Sequence, residues 1–111
     1  MPSYFNDDSL LIVPAGTSAG VRLFGEVLGA HKGALTVALT DQRRVTHEIT
    51  IDLRGVHYLA NSALEILVAL AHNLRPPQCL LIRSDPALAL RERLAEHGWD
   101  DIETLQLVET G

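Results

Sequence analysis

The stretch from Glu48 to Ala71 constrains the fold of this chain most, because it combines a buried strand, a tight loop and an apolar helix. Apolar and polar residues alternate over Ile49–Leu53, and this period of two predicts a strand that Gly55 interrupts. Beyond the loop, apolar residues recur at helical spacing, and no proline or glycine appears until Pro76. A short strand-to-helix loop leaves backbone N–H groups free at the helix start, so we expect the functional site at this joint.

Polar residues near the joint have both a structural and a chemical interpretation. Asn61 or Ser62 stands where a helix cap belongs, although Ser62 could also be a nucleophile or a phosphoacceptor. Asp52 could act as a base, or it could simply accept backbone N–H bonds. We favour the structural interpretation of both side chains, because the sequence shows no assembled nucleophile, base and orienting group.

Length and charge narrow the classes of protein to which the chain can belong. With 111 residues, 47% of them hydrophobic, it is expected to form one domain over residues 10–111 after a flexible N-terminus over residues 1–9. A net charge of −5 with dispersed arginines disfavours nucleic-acid binding. The N-terminus lacks a basic region, and no apolar run reaches the roughly 18 residues of a transmembrane helix, so we expect a cytoplasmic protein without membrane insertion.

Motifs that would indicate a metal, a cofactor or a catalytic centre are missing from the sequence. The five histidines form no HExxH pair, no CxxC is present, and no glycine-rich phosphate loop or GxSxG elbow occurs. The single cysteine, Cys79, lies in the apolar run CLLI and is expected to be a small buried side chain. We therefore predict no metal, no cofactor and no enzymatic activity.

The remaining elements alternate between strands and helices. Before the central strand and helix, the sequence predicts an edge strand Leu10–Val13, a hairpin partner Val21–Val27 and a helix His31–Gln42. After them it predicts a strand Cys79–Arg83 buried on both faces, a helix from Asp85 to Gly98 and a terminal strand or extended tail over Leu105–Val108. Trp99 is expected to pack after the helix ends at Gly98. This alternation predicts an α/β fold, with a mixed, mostly parallel sheet, an antiparallel edge pair and packed helices.

The order and spacing of three motifs resemble those of a STAS domain, the fold of anti-sigma factor antagonists. In that family a strand ends in D-L-S-G-V, an aromatic and an aliphatic residue, and D-S-S/T-G-L opens the next helix. Asp52–Leu59 (DLRGVHYL) and Ala60–Leu64 (ANSAL) are similar to this pattern without a gap. Gly25–Leu28 (GEVL) resembles the upstream G-E-L-D, and Leu94–Trp99 resembles the closing L-x-x-x-G-hydrophobic motif. The resemblance covers Leu10–Val108 and implies a STAS-like single domain.

Three positions depart from the family pattern. The serine that partner kinases modify in phosphorylatable antagonists corresponds to Asn61, whose amide cannot accept a phosphoryl group. The preceding family aspartate corresponds to Ala60, and the aspartate of G-E-L-D corresponds to Leu28. Ser62, at the second hydroxyl position of the family, is then the one candidate phosphorylation site in the loop.

The resemblance implies a non-enzymatic bacterial signalling protein that regulates transcription and docks Tyr58–Leu67 on a protein partner, an anti-sigma-type kinase. The expected partner-binding residues are Tyr58, Ala60, Asn61, Ser62, Glu65 and Ile66. Ile66 and Leu70 lie off the main apolar stripe of the helix, so they either leave apolar surface for this interface or are buried by a neighbouring helix.

Other interpretations of the same resemblance stay open. The chain could be the accessory STAS subunit of a lipid ABC transporter, which would bind the transporter ATPase. It could also be a sensor of a small molecule or nucleotide, with a pocket under the central loop. A homodimer is compatible with each of these possibilities.

Overall fold

Six strands and three α-helices make up the part of the chain that the computed structural model describes, residues 5–15, 20–43 and 48–109. The strands are β1 Phe5–Asn6, β2 Leu10–Pro14, β3 Gly20–Val27, β4 Glu48–Leu59, β5 Cys79–Ser84 and β6 Leu105–Glu109. The helices are α1 Lys32–Arg43, α2 Asn61–His72 and α3 Leu90–Glu96, with 3-10 turns at Gly29–His31 and Pro86–Leu88. The sequence also predicts a small-residue turn over Ala15–Gly20 and a polar connection over Arg43–Thr46. Most of both segments lies outside the described residues.

The strands form one sheet in chain order, β1-β2-β3-β4-β5-β6. Pairs β1–β2 and β2–β3 are antiparallel, whereas β3–β4, β4–β5 and β5–β6 are parallel. The mixed α/β sheet that the sequence predicts is therefore confirmed, and Ile49–Leu53 is an interior strand, flanked by β3 and β5. No helix in the described ranges is long and apolar enough to span a bilayer.

The N-terminal edge of the sheet differs from the prediction. Leu10–Val13 is not an edge strand, because β1 pairs with it through Phe5 and Ile12 and takes the edge position. The Asp7 carboxylate holds the intervening turn by accepting the backbone N–H groups of Ser9 (2.8 Å) and Leu10 (2.7 Å). Phe5 and Asn6 thus belong to the sheet although they precede residue 10, where we expected the domain to begin.

Two glycines allow close contacts within the sheet. The sequence predicts a bulge or a close backbone approach at Gly25. Gly25 has φ 109°, and a Cβ there would lie 2.2 Å from the backbone oxygen of Ser9, so the close approach is confirmed. The pairing register with β4 also shifts between Gly25 and Glu26. The prediction that Gly55 interrupts the central strand is wrong, because β4 continues to Leu59. A Cβ at Gly55 would lie 2.4 Å from Cδ1 of Phe24, so this position needs a glycine to accommodate the neighbouring ring.

The two faces of β5 differ in burial. In β5, Leu80 and Ile82 are buried, whereas Arg83 is exposed and Leu81 is half-buried. The prediction that this strand is buried on both faces is therefore wrong, and Cys79 is half-buried instead of buried. Burial, followed by the charge of Glu48, raises the pKa of the Cys79 thiol.

The third helix is shorter than predicted, because the helical conformation is interrupted at Ala89. Asp85 caps the 3-10 turn by accepting the N–H of Ala87 (2.9 Å), and Ala89 then adopts a left-handed conformation with φ 52°. This break lets Leu88 and Leu90 both be buried, although residues two apart in a continuous helix would point in different directions.

The segment after α3 follows the prediction more closely. Gly98 has φ 73°, as the predicted glycine at a helix C-terminus requires. Trp99 packs against the core, although it is only half-buried, and its ring stacks on His97 with 4.4 Å between centroids.

Candidate functional site

The candidate site lies where the loops after β3, β4 and β5 meet. Parallel strands place their carboxyl ends at the same edge of a sheet, where ligands and partners of α/β proteins commonly bind. Val27, the last residue of β3, is in register with Leu59, the last residue of β4. The N–H of Ala60 donates to the backbone oxygen of Val27 (2.8 Å), which fixes the β4–α2 loop to the neighbouring strand.

Helix α2 begins without a side-chain cap. Ala60 is the N-cap residue, with φ −65° and ψ 148°, and its backbone oxygen accepts the N–H groups of Ala63 and Leu64. The prediction that Asn61 or Ser62 caps this helix is wrong, because both lie within the first turn. Their side chains are therefore available for contacts outside the helix.

Asn61 is held by Arg93 of α3. The Nη2 group of Arg93 donates to Oδ1 of Asn61 (2.7 Å) and to the backbone oxygen of Leu59 (2.7 Å). Since a guanidinium only donates, the oxygen of the amide must face Arg93, and its NH₂ group points away. These two bonds link α3 to the loop before α2.

Ser62 faces the β3–α1 turn. A Cβ placed on Gly29 would lie 2.7 Å from Oγ of Ser62, so the hydroxyl occupies the space that the missing side chain leaves. Ser62 is half-buried there.

A buried histidine fixes the same turn from the other side. Nδ1 of His31 accepts the N–H of Leu28 (2.9 Å), which leaves Nε2 to donate to Oδ2 of Asp7 (2.8 Å). The hydrogen bond from His31, together with the N–H groups of Leu10 and Ser9, lowers the pKa of the Asp7 carboxyl. No local sequence pattern predicts this contact, because Asp7 and His31 are far apart in the chain.

The six predicted partner-binding residues differ in exposure. Asn61 and Glu65 are exposed and four residues apart, so they share one stripe of α2. Ser62 and Ile66 share the next stripe and are half-buried, and Leu70, which continues it, is half-buried as well. Ile66 and Leu70 are neither fully exposed for an interface nor fully buried by a neighbouring helix, because each packs partly against the core.

Tyr58 and the N-cap residue complete the predicted set. Tyr58 is 51% exposed and Ala60 is half-buried. A depression of about 360 Å³ adjoins Tyr58, and we call it the loop depression. It is lined by His57, Tyr58, Leu59, Asn61, Ala87, Leu88 and Arg93. Arg93 and His57 were not predicted, because a charged residue in an amphipathic helix and a histidine at a strand end both have solvent as their simplest environment.

A second concavity, of about 480 Å³, extends the same side of α2 away from the loop. Glu65, Val68 and Ala69 of α2 line it on one side, and Trp99 and Ile102 line it on the other. We call it the α2 groove. Glu65 therefore lies between the loop depression and a more apolar surface.

Asp52, the residue that could act as a base, is buried beside Arg22 and Arg54 on one face of the sheet. Its Oδ1 accepts both the backbone N–H and the Nε–H of Arg54 (each 3.0 Å), and its Oδ2 accepts Nη2–H of Arg54 (2.7 Å). The hydrogen bonds from Arg54 hold the pKa of the Asp52 carboxyl below its ordinary value, against the opposing effect of burial. Asp52 therefore accepts one backbone N–H, which belongs to Arg54 within β4 and not to the loop, and its other bonds come from the Arg54 side chain.

Comparison with known proteins identifies the fold. Neither a protein-family model nor a curated protein matches the sequence. Among solved structures, the chain is similar to the crystal structure of an anti-sigma factor antagonist from Mycobacterium paratuberculosis. The identity is 23%, the match covers 91% of this chain and 88% of that chain, and the TM-score is 0.71. The STAS-like fold that the sequence motifs imply is therefore confirmed.

Proposed function

We propose that this protein is a non-enzymatic bacterial regulator that binds an anti-sigma-type kinase in the cytoplasm through Tyr58–Leu67, and that it does so without a phosphorylation switch. Its fold is shared with an anti-sigma factor antagonist, which supports a regulatory role through protein contacts. The observation that carries the proposal is the geometry of the loop. Arg93 holds Asn61, and Ser62 packs over Gly29.

The exposed part of this region has the composition of a docking surface. Tyr58 presents an amphipathic ring, and tyrosine is enriched among the residues that dominate binding energy. Asn61 and Glu65 add polar groups along α2, and the α2 groove adds apolar surface beyond them. A partner that covers this region would contact both the loop and the helix.

The absence of a switch follows from two side chains. Asn61 stands at the position where related antagonists carry the modified serine, and an amide cannot be phosphorylated. Ser62 offers a hydroxyl, but this group is half-buried against Gly29. Two negative charges on Ser62 would also be desolvated in a partner interface, so binding is expected to be constitutive.

The proposal is tested by measuring the affinity of the purified chain for an anti-sigma-type kinase encoded near its gene. Tyr58→Ala should weaken binding by about tenfold or more, because it removes a central aromatic contact. Val37→Ala is the matched control, since Val37 is an apolar side chain 63% exposed on α1, away from the loop. Equal affinities for both variants would contradict the assignment of the surface.

A second measurement addresses the switch. The protein is incubated with the kinase and ATP, and phosphorylation is mapped by mass spectrometry. We expect no phosphate on Ser62 in the native chain and phosphorylation after Asn61→Ser. Stoichiometric modification of native Ser62 that releases the partner would refute the constitutive form. Binding to a transporter ATPase instead of a kinase, or binding of a nucleotide without a protein, would favour the transporter subunit or the sensor.

A further inference from the structure

The loop depression is lined by hydrogen-bond donors and by no carboxylate among its described lining residues. Arg93 contributes a full positive charge, and the ring of His57 and the hydroxyl of Tyr58 add polar groups that can donate. This composition is unusual for a chain whose net charge is −5. A cluster of donors without an acid favours a negatively charged group over a neutral or cationic one.

Arg93 retains donors for such a group. A guanidinium has five N–H groups, and the two on Nη2 are used by Leu59 and Asn61. The N–H groups on Nε and Nη1 have no partner among the described residues, and the side chain lines the depression. A molecule that enters the depression would meet these N–H groups.

Asn61 strengthens the same preference. Because its Oδ1 accepts from Arg93, the amide NH₂ is the part left for contacts with another molecule. The side-chain oxygen of Asn61 is thus already engaged by the guanidinium. The depression therefore combines a fixed cation with an amide oriented as a donor.

We infer that the loop depression binds a carboxylate side chain, an aspartate or a glutamate, of the docking protein. This inference rests on the proposed function and adds the chemistry of the contact to it. A monoanion matches the single charge of Arg93, whereas a dianionic phosphate would leave excess negative charge in an acidic protein. A volume of about 360 Å³ is ample for one such side chain.

The test uses the full chain without its partner, so that failure of the site chemistry and failure of the proposed function give different results. Isotope-labelled protein is titrated by NMR with N-acetylglutamic acid α-amide, with the neutral N-acetylglutamine α-amide and with inorganic phosphate, each at millimolar concentration. We expect the glutamate probe to shift the side-chain N–H signals of Arg93 and Asn61 saturably. The glutamine probe should shift them little.

Three variants decide whether these shifts report the proposed contact. Arg93→Gln should weaken binding of the glutamate probe by about tenfold or more, because it removes a charge-assisted hydrogen bond. Asn61→Asp should weaken binding similarly, since it leaves Arg93 in place but pairs it with an internal carboxylate. Arg91→Gln is the control, because Arg91 lies on the same helix and pairs with Glu109 (3.1 Å) instead of the loop.

The titrations of the native chain and of the three variants distinguish a carboxylate site from the alternatives. Selective binding of the glutamate probe that is lost in both Arg93→Gln and Asn61→Asp, but kept in Arg91→Gln, supports the inference. Equal responses to the glutamate and glutamine probes, or binding that persists in both loop variants, would overturn it. A response to phosphate alone would overturn it as well, because the depression would then recognise a free or esterified phosphate. Selective binding of the glutamate probe together with no binding to any kinase would refute the proposed function and still support the chemistry inferred for the depression.

Discussion

The contact between Gly29 and Ser62 predicts that Gly29→Ala has opposite effects on stability in the native chain and in the Ser62→Ala chain. Gly29→Ala places a Cβ 2.7 Å from Oγ of Ser62, so Ser62 must leave its present position or the turn must shift. In the Ser62→Ala background that oxygen is gone, and the nearest remaining atom of the side chain is its Cβ at 3.8 Å, an ordinary contact. The same methyl group should therefore be harmful in one chain and harmless in the other.

The size of the effect follows from two opposing contributions. Overpacking a filled site costs about 1–3 kcal/mol. Replacing a glycine by alanine where the backbone allows it gains about 0.4–1 kcal/mol, because the unfolded chain loses freedom. Gly29 does not have a positive φ, so it can gain this amount. Gly29→Ala should then destabilise the native chain by about 1 kcal/mol and stabilise the Ser62→Ala chain by about 0.5 kcal/mol.

Urea unfolding of the four chains in the mutant cycle measures this coupling directly. Gly33→Ala serves as the matched control, because Gly33 lies in α1 with no atom within 4 Å of an added Cβ. That control should have the same small effect in both backgrounds. If Gly29→Ala changes the free energy of unfolding equally in both, within about 0.5 kcal/mol, Ser62 does not pack over Gly29 in solution.

Two further predictions concern stability away from the loop. Asp52→Asn should lower the free energy of unfolding at neutral pH, because the pKa of Asp52 is lowered in the folded state and its charged form therefore stabilises the fold. The difference in free energy of unfolding between this variant and the native chain should shrink as the pH falls below 3.8, the ordinary pKa of the carboxyl, since protonation of Asp52 removes this stabilisation. A difference that stays constant from neutral to acid pH in urea unfolding would contradict this. Trp99→Ala should cost about 2 kcal/mol, less than for a fully buried indole, since Trp99 is half-buried. Melting curves measure this cost, with His97→Ala as the control that removes only the stacked ring, and an unchanged melting temperature for Trp99→Ala would show that the indole does not pack.

The sequence predicts the elements whose signal is local. The alternation over Ile49–Leu53 and the helical spacing after Ala63 depend only on which side of each element meets the core, so both predictions are confirmed. Gly55 was misjudged for the converse reason. Its low strand propensity is a local property, but the Phe24 ring of the neighbouring strand requires a glycine there.

The candidate site is less accessible to prediction, because its contacts join distant parts of the chain. Arg93 reaches Asn61 from α3, and this contact depends on the direction that the left-handed residue Ala89 gives to α3. Nothing in the sequence near Arg93 distinguishes it from Arg91, which binds Glu109 instead. Motif spacing located the loop, but the partners that hold it required the three-dimensional structure.

The surroundings of Asp52 explain why it is a structural residue. Asp52 itself is buried, whereas the arginine side chains around it on the same face of the sheet are exposed. Arg22 and Arg83 are the register neighbours of Asp52 on the adjacent strands, and Arg22 approaches it to 3.7 Å. The guanidinium of Arg54 donates to both carboxylate oxygens and lowers the pKa of Asp52, which makes this carboxylate a weaker base. Asp52 therefore serves as the acceptor for the arginines around it, and its replacement should lower stability without changing the β4–α2 loop.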